Sequence, residues 1–466
     1  MTSDFEKIFK AYDIRGIYPD QIDEEGVYRI ARGYATYLIE INPSKEDLRI
    51  VVGRDMRLSS PALTEKVVRG LIDSGIDVVD IGLSSTPVFY FAVAEGDYDG
   101  GLQISASHNP SEYNGIKIVR EKSFSVSLED GLEVVRDRAI SGDFKKLDRK
   151  AKTSKDDNVL ERQVAYSLSF DDFSNIKLLK IVADPANSMG ALDLEALFKK
   201  LPCDFHRLNF ELDGNFPAHP ADPFQEKNTT ELKNAVVKQK ADLGIATDGD
   251  ADRIFFIDER GKMIDPSILR GLLAKIILRN NKGAKIGHDI RPGRITKDMI
   301  IENGGVPFVT RVGHSIIKKI SIEKGAEFSG ESSGHFFIKT KQGFFETPLL
   351  VTLYLLKEIT QENKNISEII GPFKRYVHSG EINFLIENKE EMMNKIQKKY
   401  EKGALNIDHL DGLTVEHQDF WMNLRPSNTE PLLRLNLEAI DEKTMTSARD
   451  DIIDFIKSLN GSLANH

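Results

Sequence analysis

LRIVVGRDMRLSS at 48–60, LLKIVADPANSMG at 178–190 and AKIGHDIRPGR at 284–294 are three versions of one pattern. Each opens with a short apolar run, which reads as a buried strand. Each strand ends on an aspartate: Asp55, Asp184 and Asp289. A polar or Gly/Pro-containing turn then leads into a helical stretch. A second apolar run follows roughly twenty residues after the aspartate, as in GIDVVDIGLSSTP at 75–87, CDFHRLNF at 203–210 and VPFVTRVGHS at 306–315. Strand–helix–strand units of this kind build parallel sheets. Three copies predict three related α/β domains. From about Gly371 the texture changes: EINFLIEN, LTVEHQDFWMNLRPS and PLLRLNLEAI read as strands, with KEEMMNKIQKKYE and MTSARDDIIDFIKSL as helices. The expected fold class is therefore α/β, three related α/β domains with mixed sheets plus a smaller C-terminal α+β domain. The expected boundaries are 1–150, 151–258, 259–370 and 371–466. Ligands of open parallel sheets sit beyond the carboxyl ends of strands, so the loops after these strands hold the candidate residues.

Composition narrows the function classes. The chain of 466 residues is 40% hydrophobic and 29% charged, an ordinary globular balance able to bury several cores. A net charge of −10 disfavours a general nucleic-acid or anionic-membrane binder, which needs a basic face. Cys203 is the only cysteine, which excludes an intramolecular disulfide and a cysteine zinc site. MTSDFEKIFKAYDIRG has no basic-then-apolar signal pattern, and no apolar run reaches the ~20 residues of a membrane span. A cytoplasmic location is expected.

ADLGIATDGDADRIFFIDERG at 241–261 places Asp248, Asp250 and Asp252 at alternate positions after an apolar run. In an extended chain they share one face. Three carboxylates on one face repel unless a cation lies among them, and oxygen-only ligands suit a hard ion, Mg²⁺ or Ca²⁺. A calcium EF-hand competes, since Glu259 falls twelfth from Asp248, but its sixth position is Arg253 where that loop needs glycine. A plain acidic turn and an aspartyl-nucleophile phosphatase compete as well. Mg²⁺ often completes its shell with a phosphate oxygen. QISASHNPSEYNGIKI at 103–118 offers a source, because a phosphorylated Ser107 would carry three acceptor oxygens. His108 stands beside it and Lys117 lies on the next apolar run.

NLRPSNTEPLLRL at 423–435 sets Arg425, Ser427, Asn428 and Thr429 between two apolar runs, with Arg434 on the following strand. Such a turn can cradle an anion, although proline, serine and asparagine are also ordinary turn residues. FSGESSGHFFIK at 328–339 brackets Glu331 and Ser333 with glycines, with His335 just beyond; carboxylate, hydroxyl and imidazole suit a polyol. His314 sits in a similar strand-end loop, where a lone histidine is commonly structural.

Together these stretches are similar to the α-D-phosphohexomutase family, in its phosphomannomutase/phosphoglucomutase branch. The resemblance runs nearly end to end through AYDIRG, SASHNP, DGDADR, GESSGH and RPSNTEP. It implies four domains around a central cleft and reversible phosphoryl transfer between O1 and O6 of a hexose, mannose or glucose, through a hexose 1,6-bisphosphate. It implies that Ser107 is the phosphorylated residue. Asp248, Asp250 and Asp252 would hold Mg²⁺ with it, and Arg253, Arg15, His108 and Lys117 would line the transfer site. Glu331, Ser333 and His335 would grip sugar hydroxyls, with His314 also expected at the substrate. Arg425, Ser427, Asn428, Thr429 and Arg434 would hold the phosphate that is not transferred. The partner is a small hexose phosphate, with no nucleic acid and no membrane, and the chain is expected as a monomer or homodimer. Three places depart from the family pattern: Ser105 for a common threonine, Arg291 for a common lysine, and GFFETPLL, with Glu346 and Thr347, for a common aspartate pair. Phosphoglucosamine mutases usually have glycine where this chain has Asn428, and that activity is the runner-up. A non-catalytic sugar-phosphate binder is the reading from another class.

Overall fold

The strand Arg49–Arg54 shows why the repeated stretches fold as they do. Ile50 and Val52 enter one buried cluster with Leu63, Val67 and Leu71 of the helix Ser60–Asp73 and Ile30, Tyr34 and Leu38 of the helix Glu24–Ile41. Val51 enters another, with Phe89 and Val93 of the helix Thr86–Glu95. A strand covered on both faces reads as a continuous apolar run, not an alternating one. The helices are marked locally: Asp23 accepts from the Gly26 N–H, and Ser85 accepts from the Val88 N–H ahead of Pro87 in the first turn.

The computed structural model describes residues 5–427 and 432–464. It divides into two compact units, Met1–Ile264 with Ser333–Ile369, and Asp265–Ser332 with Ile370–His466. In the first unit, Arg49–Arg54 pairs in parallel with Asp77–Leu83 on one side and Gly100–Ile104 on the other. Tyr113–Arg120 runs antiparallel to Gly100–Ile104, and Ile14–Ile17 antiparallel to Tyr113–Arg120, so the sheet is mixed. A second sheet sets Lys180–Asp184 between Asp204–Arg207 and Leu243–Thr247, both parallel to it, and closes with Ile254–Asp258 antiparallel. Phe336–Lys339 and Phe344–Glu346 form an antiparallel pair.

In the second unit, Lys285–Asp289 lies between Val306–Thr310 and Phe328–Gly330, all parallel. The C-terminal part is an antiparallel sheet that includes Leu413–Glu416, Phe420–Pro426, Leu432–Ala439 and Val377–Leu385. The helices Lys389–Tyr400 and Glu442–Ser458 pack on it through Met392, Ile396, Ile452 and Ile456. The expected fold class, three α/β repeats and a C-terminal α+β part, is met. No helix among the described residues is long and apolar enough to cross a membrane.

The three repeat aspartates are each at most 2% exposed; Asp55 and Asp184 fix the turn after their own strand, and Asp289 ties in the loop after Phe328–Gly330. Asp55 Oδ1 accepts from the Arg57 N–H at 3.0 Å, and Asp184 Oδ1 from the Ala186 N–H at 2.9 Å. Asp289 Oδ2 accepts from the Ser332 N–H at 3.2 Å. A buried carboxylate needs a counter-charge. Arg57 supplies it to Asp55, and Arg270 and Arg291 to Asp289, while Asp184 Oδ2 has His219 Nε2 at 3.0 Å and raises that imidazole.

Candidate active site

Ser107 is brought into place by the chain leaving the buried strand Gly100–Ile104. Its N–H donates to Ser105 Oγ at 3.1 Å, the Asn109 N–H to the Ala106 carbonyl, and the Tyr113 N–H to the Pro110 carbonyl. Ser107 sits at φ 49°, a left-handed conformation that costs an L-residue roughly 1–2 kcal/mol. Its hydroxyl donates to Asp248 Oδ2 at 2.7 Å and lies 3.2 Å from His108 Nδ1. The loops meet closely here: a Cβ on Gly249 would lie 2.2 Å from the Ser107 carbonyl oxygen, so only glycine fits.

Asp248, Asp250 and Asp252 occupy the turn between the antiparallel strands Leu243–Thr247 and Ile254–Asp258. All three are buried, and their ligand oxygens lie within 4.8 Å of one another. They converge by the turn itself, with Ala251 at φ 60°, and not through the alternation of an extended strand expected from the sequence. Neighbouring loops brace the turn. Thr86 Oγ1 donates to Asp250 Oδ2 at 2.5 Å, its N–H donates to the Asp250 carbonyl, and Ser188 Oγ donates to the Asp248 carbonyl at 3.1 Å.

The balance of charge in this turn is unequal. Lys117, 4% exposed on the strand Tyr113–Arg120, places Nζ 2.6 Å from Asp252 Oδ2 and 3.1 Å from Asp250 Oδ2. Burial works against its charge, yet Asp250 and Asp252 hold the ammonium well above the usual lysine range. Burial alone would raise Asp252, but Lys117 and then His335, whose Nε2 is 3.3 Å from Asp252 Oδ1, hold it well below. Asp248 goes the other way: burial, then Asp252 and Asp250, push its carboxyl up. Among the described residues, Asp250 Oδ1 is buried without a hydrogen-bond partner. A divalent cation bound by oxygen would satisfy that atom and relieve the repulsion, so this acidic triad fits a metal.

The other candidates of the first unit gather around the same turn. The Arg253 N–H donates to Asp248 Oδ1 at 3.2 Å, and its Nε lies 3.9 Å from Asp248 Oδ2. Arg15 binds Asp13 through Nε and Nη2, and its Nη1 donates to Asn109 Oδ1 at 2.5 Å in the serine loop. His108 is held neutral, far below the usual range, by burial and by Arg253 and Arg15. Ser333 Oγ lies 3.0 Å from His335 Nδ1, so these two sugar-loop candidates stand beside Asp252.

The second unit carries the rest. Glu331 Oε1 accepts from the Gly313 N–H at 2.8 Å, ahead of the helix His314–Lys324 that begins with His314, and lies 3.9 Å from Arg291. Ser332 is fastened to Asp289 and Arg270. Arg425 and Arg434 are cross-strand partners, each 3.3 Å from a different oxygen of Glu381, and Arg434 Nη2 donates to Ser427 Oγ. Burial and then the nearby Arg291 lower the Arg425 guanidinium, with Glu381 and Asp411 offsetting this in part. Asn428 and Thr429 lie outside the described residues.

Four family models match in order: phosphoglucomutase/phosphomannomutase alpha/beta/alpha domain I at 6–143, domain II at 163–261, domain III at 265–376 and the C-terminal domain at 381–455. A phosphomannomutase of Methanocaldococcus jannaschii is 37% identical over 98% of this chain and 99% of its own. The chain belongs to the phosphoglucomutase/phosphomannomutase family. An Escherichia coli K12 phosphomannomutase is 35% identical over 95% of this chain and 96% of its own. The X-ray structure of a phosphoglucomutase/phosphomannomutase family protein from Burkholderia thailandensis matches with a TM-score of 0.88 at 30% identity, over 99% of this chain and 100% of that one.

Sequence reasoning missed several residues that shape this phosphoglucomutase/phosphomannomutase site. Thr86 and Ser188 brace the acidic turn, Gly249 makes room for the serine loop, and Arg57 binds that loop from behind. The available signal was their position: Thr86 in SSTP and Ser188 in PANS both follow repeat strands.

Proposed function

We propose that the chain interconverts hexose 1-phosphate and hexose 6-phosphate, of glucose and mannose, through a phosphorylated Ser107 and a hexose 1,6-bisphosphate. The observation that carries this reading is Ser107 Oγ at 2.7 Å from Asp248 in a buried turn of three carboxylates whose Asp250 Oδ1 has no hydrogen-bond partner among the described residues. A hydroxyl alone does not require such a setting. A phosphoserine beside three carboxylates would need a cation to offset their charge. Relatives named phosphomannomutase support the choice of sugar phosphate.

Asp248, Asp250 and Asp252, with the serine phosphate, would hold Mg²⁺, which neutralises charge on the phosphoryl oxygens as a Lewis acid. This chain's own residues do the remaining work. The sugar hydroxyl attacks the phosphorus of phosphoserine, the P–O bond to Ser107 breaks, and a new P–O bond to the sugar forms. The sugar hydroxyl loses its proton and Ser107 Oγ gains one; His108 Nδ1, 3.2 Å from that oxygen and held neutral, orients it by a hydrogen bond. Lys117, Arg15 and Arg253 line the transferring group with fixed positive charge, which suits a reaction won by positioning and electrostatics. The bisphosphate returns its other phosphate to Ser107 in the reverse sequence, so bonds and protons balance over the cycle. Glu331, Ser333, His335 and His314 contact sugar hydroxyls, and Arg425, Ser427, Arg434, Asn428 and Thr429 bind the second phosphate. The four matched segments serve as four domains with one loop each.

A coupled assay tests this on glucose 1-phosphate, mannose 1-phosphate and glucosamine 1-phosphate, with Mg²⁺ and a hexose bisphosphate activator. Turnover of the first two is expected. Best turnover of the glucosamine compound overturns the choice of sugar, and none on any substrate overturns the reaction. Ser107→Ala is expected to lower kcat by at least about 10³-fold and to abolish the single added phosphate in intact mass.

A further inference from the structure

Arg57 is 1% exposed, and none of the transfer steps uses it. Its guanidinium donates to four backbone carbonyls, three in the loop that carries Ser107 and one at Tyr113, where that loop enters the next strand. Nη2 reaches the Ser107 carbonyl at 2.8 Å and the Asn109 carbonyl at 2.6 Å. Nη1 reaches the Pro110 carbonyl at 2.6 Å and the Tyr113 carbonyl at 2.9 Å. The guanidinium lies over the Phe216 ring, 5.1 Å from its centroid, and its Nε is 3.2 Å from Asp55 Oδ2. Asp55 is itself fixed by the Arg57 N–H and by Ser60 Oγ at 2.6 Å, and Ser60 Oγ receives Asn114 Nδ2.

Burying an ion pair costs several kcal/mol per charge before the pairing returns any of it. A turn of this size closes without that expense, and this one already has the Asn109-to-Ala106 and Tyr113-to-Pro110 backbone bonds. Those bonds do not address the left-handed φ of Ser107, which aims its Oγ at Asp248. A strained residue persists only where its surroundings over-determine it. Here the Ser107 carbonyl is held by Arg57, and the close approach of the acidic turn leaves no room for a Cβ at Gly249 beside it.

We propose that Arg57 is a positioning residue for phosphoryl transfer: a guanidinium clamp on four carbonyls that fixes Ser107 in its left-handed conformation and so sets the position of its phosphate. This rests on the reading of Ser107 given above. A lysine does not replace it, because an ammonium has three donors and no planar fork to span four carbonyls.

Arg57→Lys, Arg57→Gln and Arg57→Ala test the clamp by kinetics and by hydrogen exchange. The expected result for Arg57→Lys is a kcat lowered about 10²-fold with KM changed by less than about threefold. The amides of residues 105–113 are expected to exchange at least about tenfold faster, with the rest of the chain unchanged. Guanidinium ion added to Arg57→Ala restores part of the lost kcat, and methylammonium does not. Three results would overturn the proposal: wild-type kcat in Arg57→Lys, faster exchange spread evenly over the chain, or a KM rise with kcat intact. If Arg57→Ala does not fold, Arg57→Lys and Arg57→Gln decide by the exchange pattern. Wild-type turnover is measured first. Its absence removes the mutase reading, while exchange of 105–113 still decides whether Arg57 holds the loop.

Discussion

Asp193 lies in the first turn of the helix Gly190–Phe198, 3% exposed, and burial pushes its carboxyl up to about 7, with Ser85 offsetting this in part. An unfolded aspartate titrates near 3.9. Below that pH both states are protonated and Asp193 costs nothing. As pH rises toward 7 the unfolded chain loses this proton and the folded one keeps it, so stability falls; above 7 the loss levels off at about 2–4 kcal/mol. Asp193→Asn is therefore expected to stabilise the protein at pH 8 and to leave it unchanged at pH 4, read from denaturant midpoints at both. An equal gain at both pH values would show that the carboxyl's charge is not the cause. Gly249 permits a second prediction at this scale. Gly249→Ala puts a Cβ into the Ser107 carbonyl, the loops must separate, and kcat is expected to fall at least about 10²-fold. Intact mass after incubation with hexose bisphosphate checks it: full phosphorylation of Gly249→Ala at the wild-type rate contradicts the prediction.

The strand–helix–strand repeats were readable because their information is local: apolar runs, turn residues and helix caps within about twenty residues. The acidic turn was readable as chemistry, since DGDADR concentrates the carboxylates, but its shape was not; the left-handed Ala251 and the brace from Thr86 depend on distant chain. Arg57 and Glu438 were invisible for the same reason. Glu438 reads as one polar residue in LEAI, yet its Oε2 accepts from the Gly293 and Arg294 N–H groups and caps the helix Arg294–Glu302 from the far end of the sequence. Removing it strands two N–H donors at a short helix. Glu438→Ala is expected to destabilise the second unit by about 1–3 kcal/mol. Trp421, the only tryptophan, is the cross-strand partner of Glu438, so its fluorescence in urea follows this unit. An unshifted midpoint would mean that the cap contributes nothing.

At the scale of the whole molecule, the division into two compact units gives metal binding a distinctive signature. The acidic triad belongs to the first unit, and a ligand stabilises what it binds by RT ln(1 + [L]/Kd), about 2.7 kcal/mol at a hundredfold excess over Kd. Burial, then Asp252 and Asp250, hold Asp248 up, and Mg²⁺ is expected to enlarge the gain by relieving the repulsive part in the folded state only. Calorimetry with Mg²⁺ is therefore expected to raise the transition of the first unit, while the transition followed by Trp421 fluorescence stays in place. Chelation by EDTA reverses the shift and stops turnover. Asp250→Asn, which removes one of the three charges, is expected to cancel most of the Mg²⁺ shift. A Mg²⁺ shift of the Trp421 transition alone, or one that survives intact in Asp250→Asn, would place the ion somewhere other than the turn that faces Ser107.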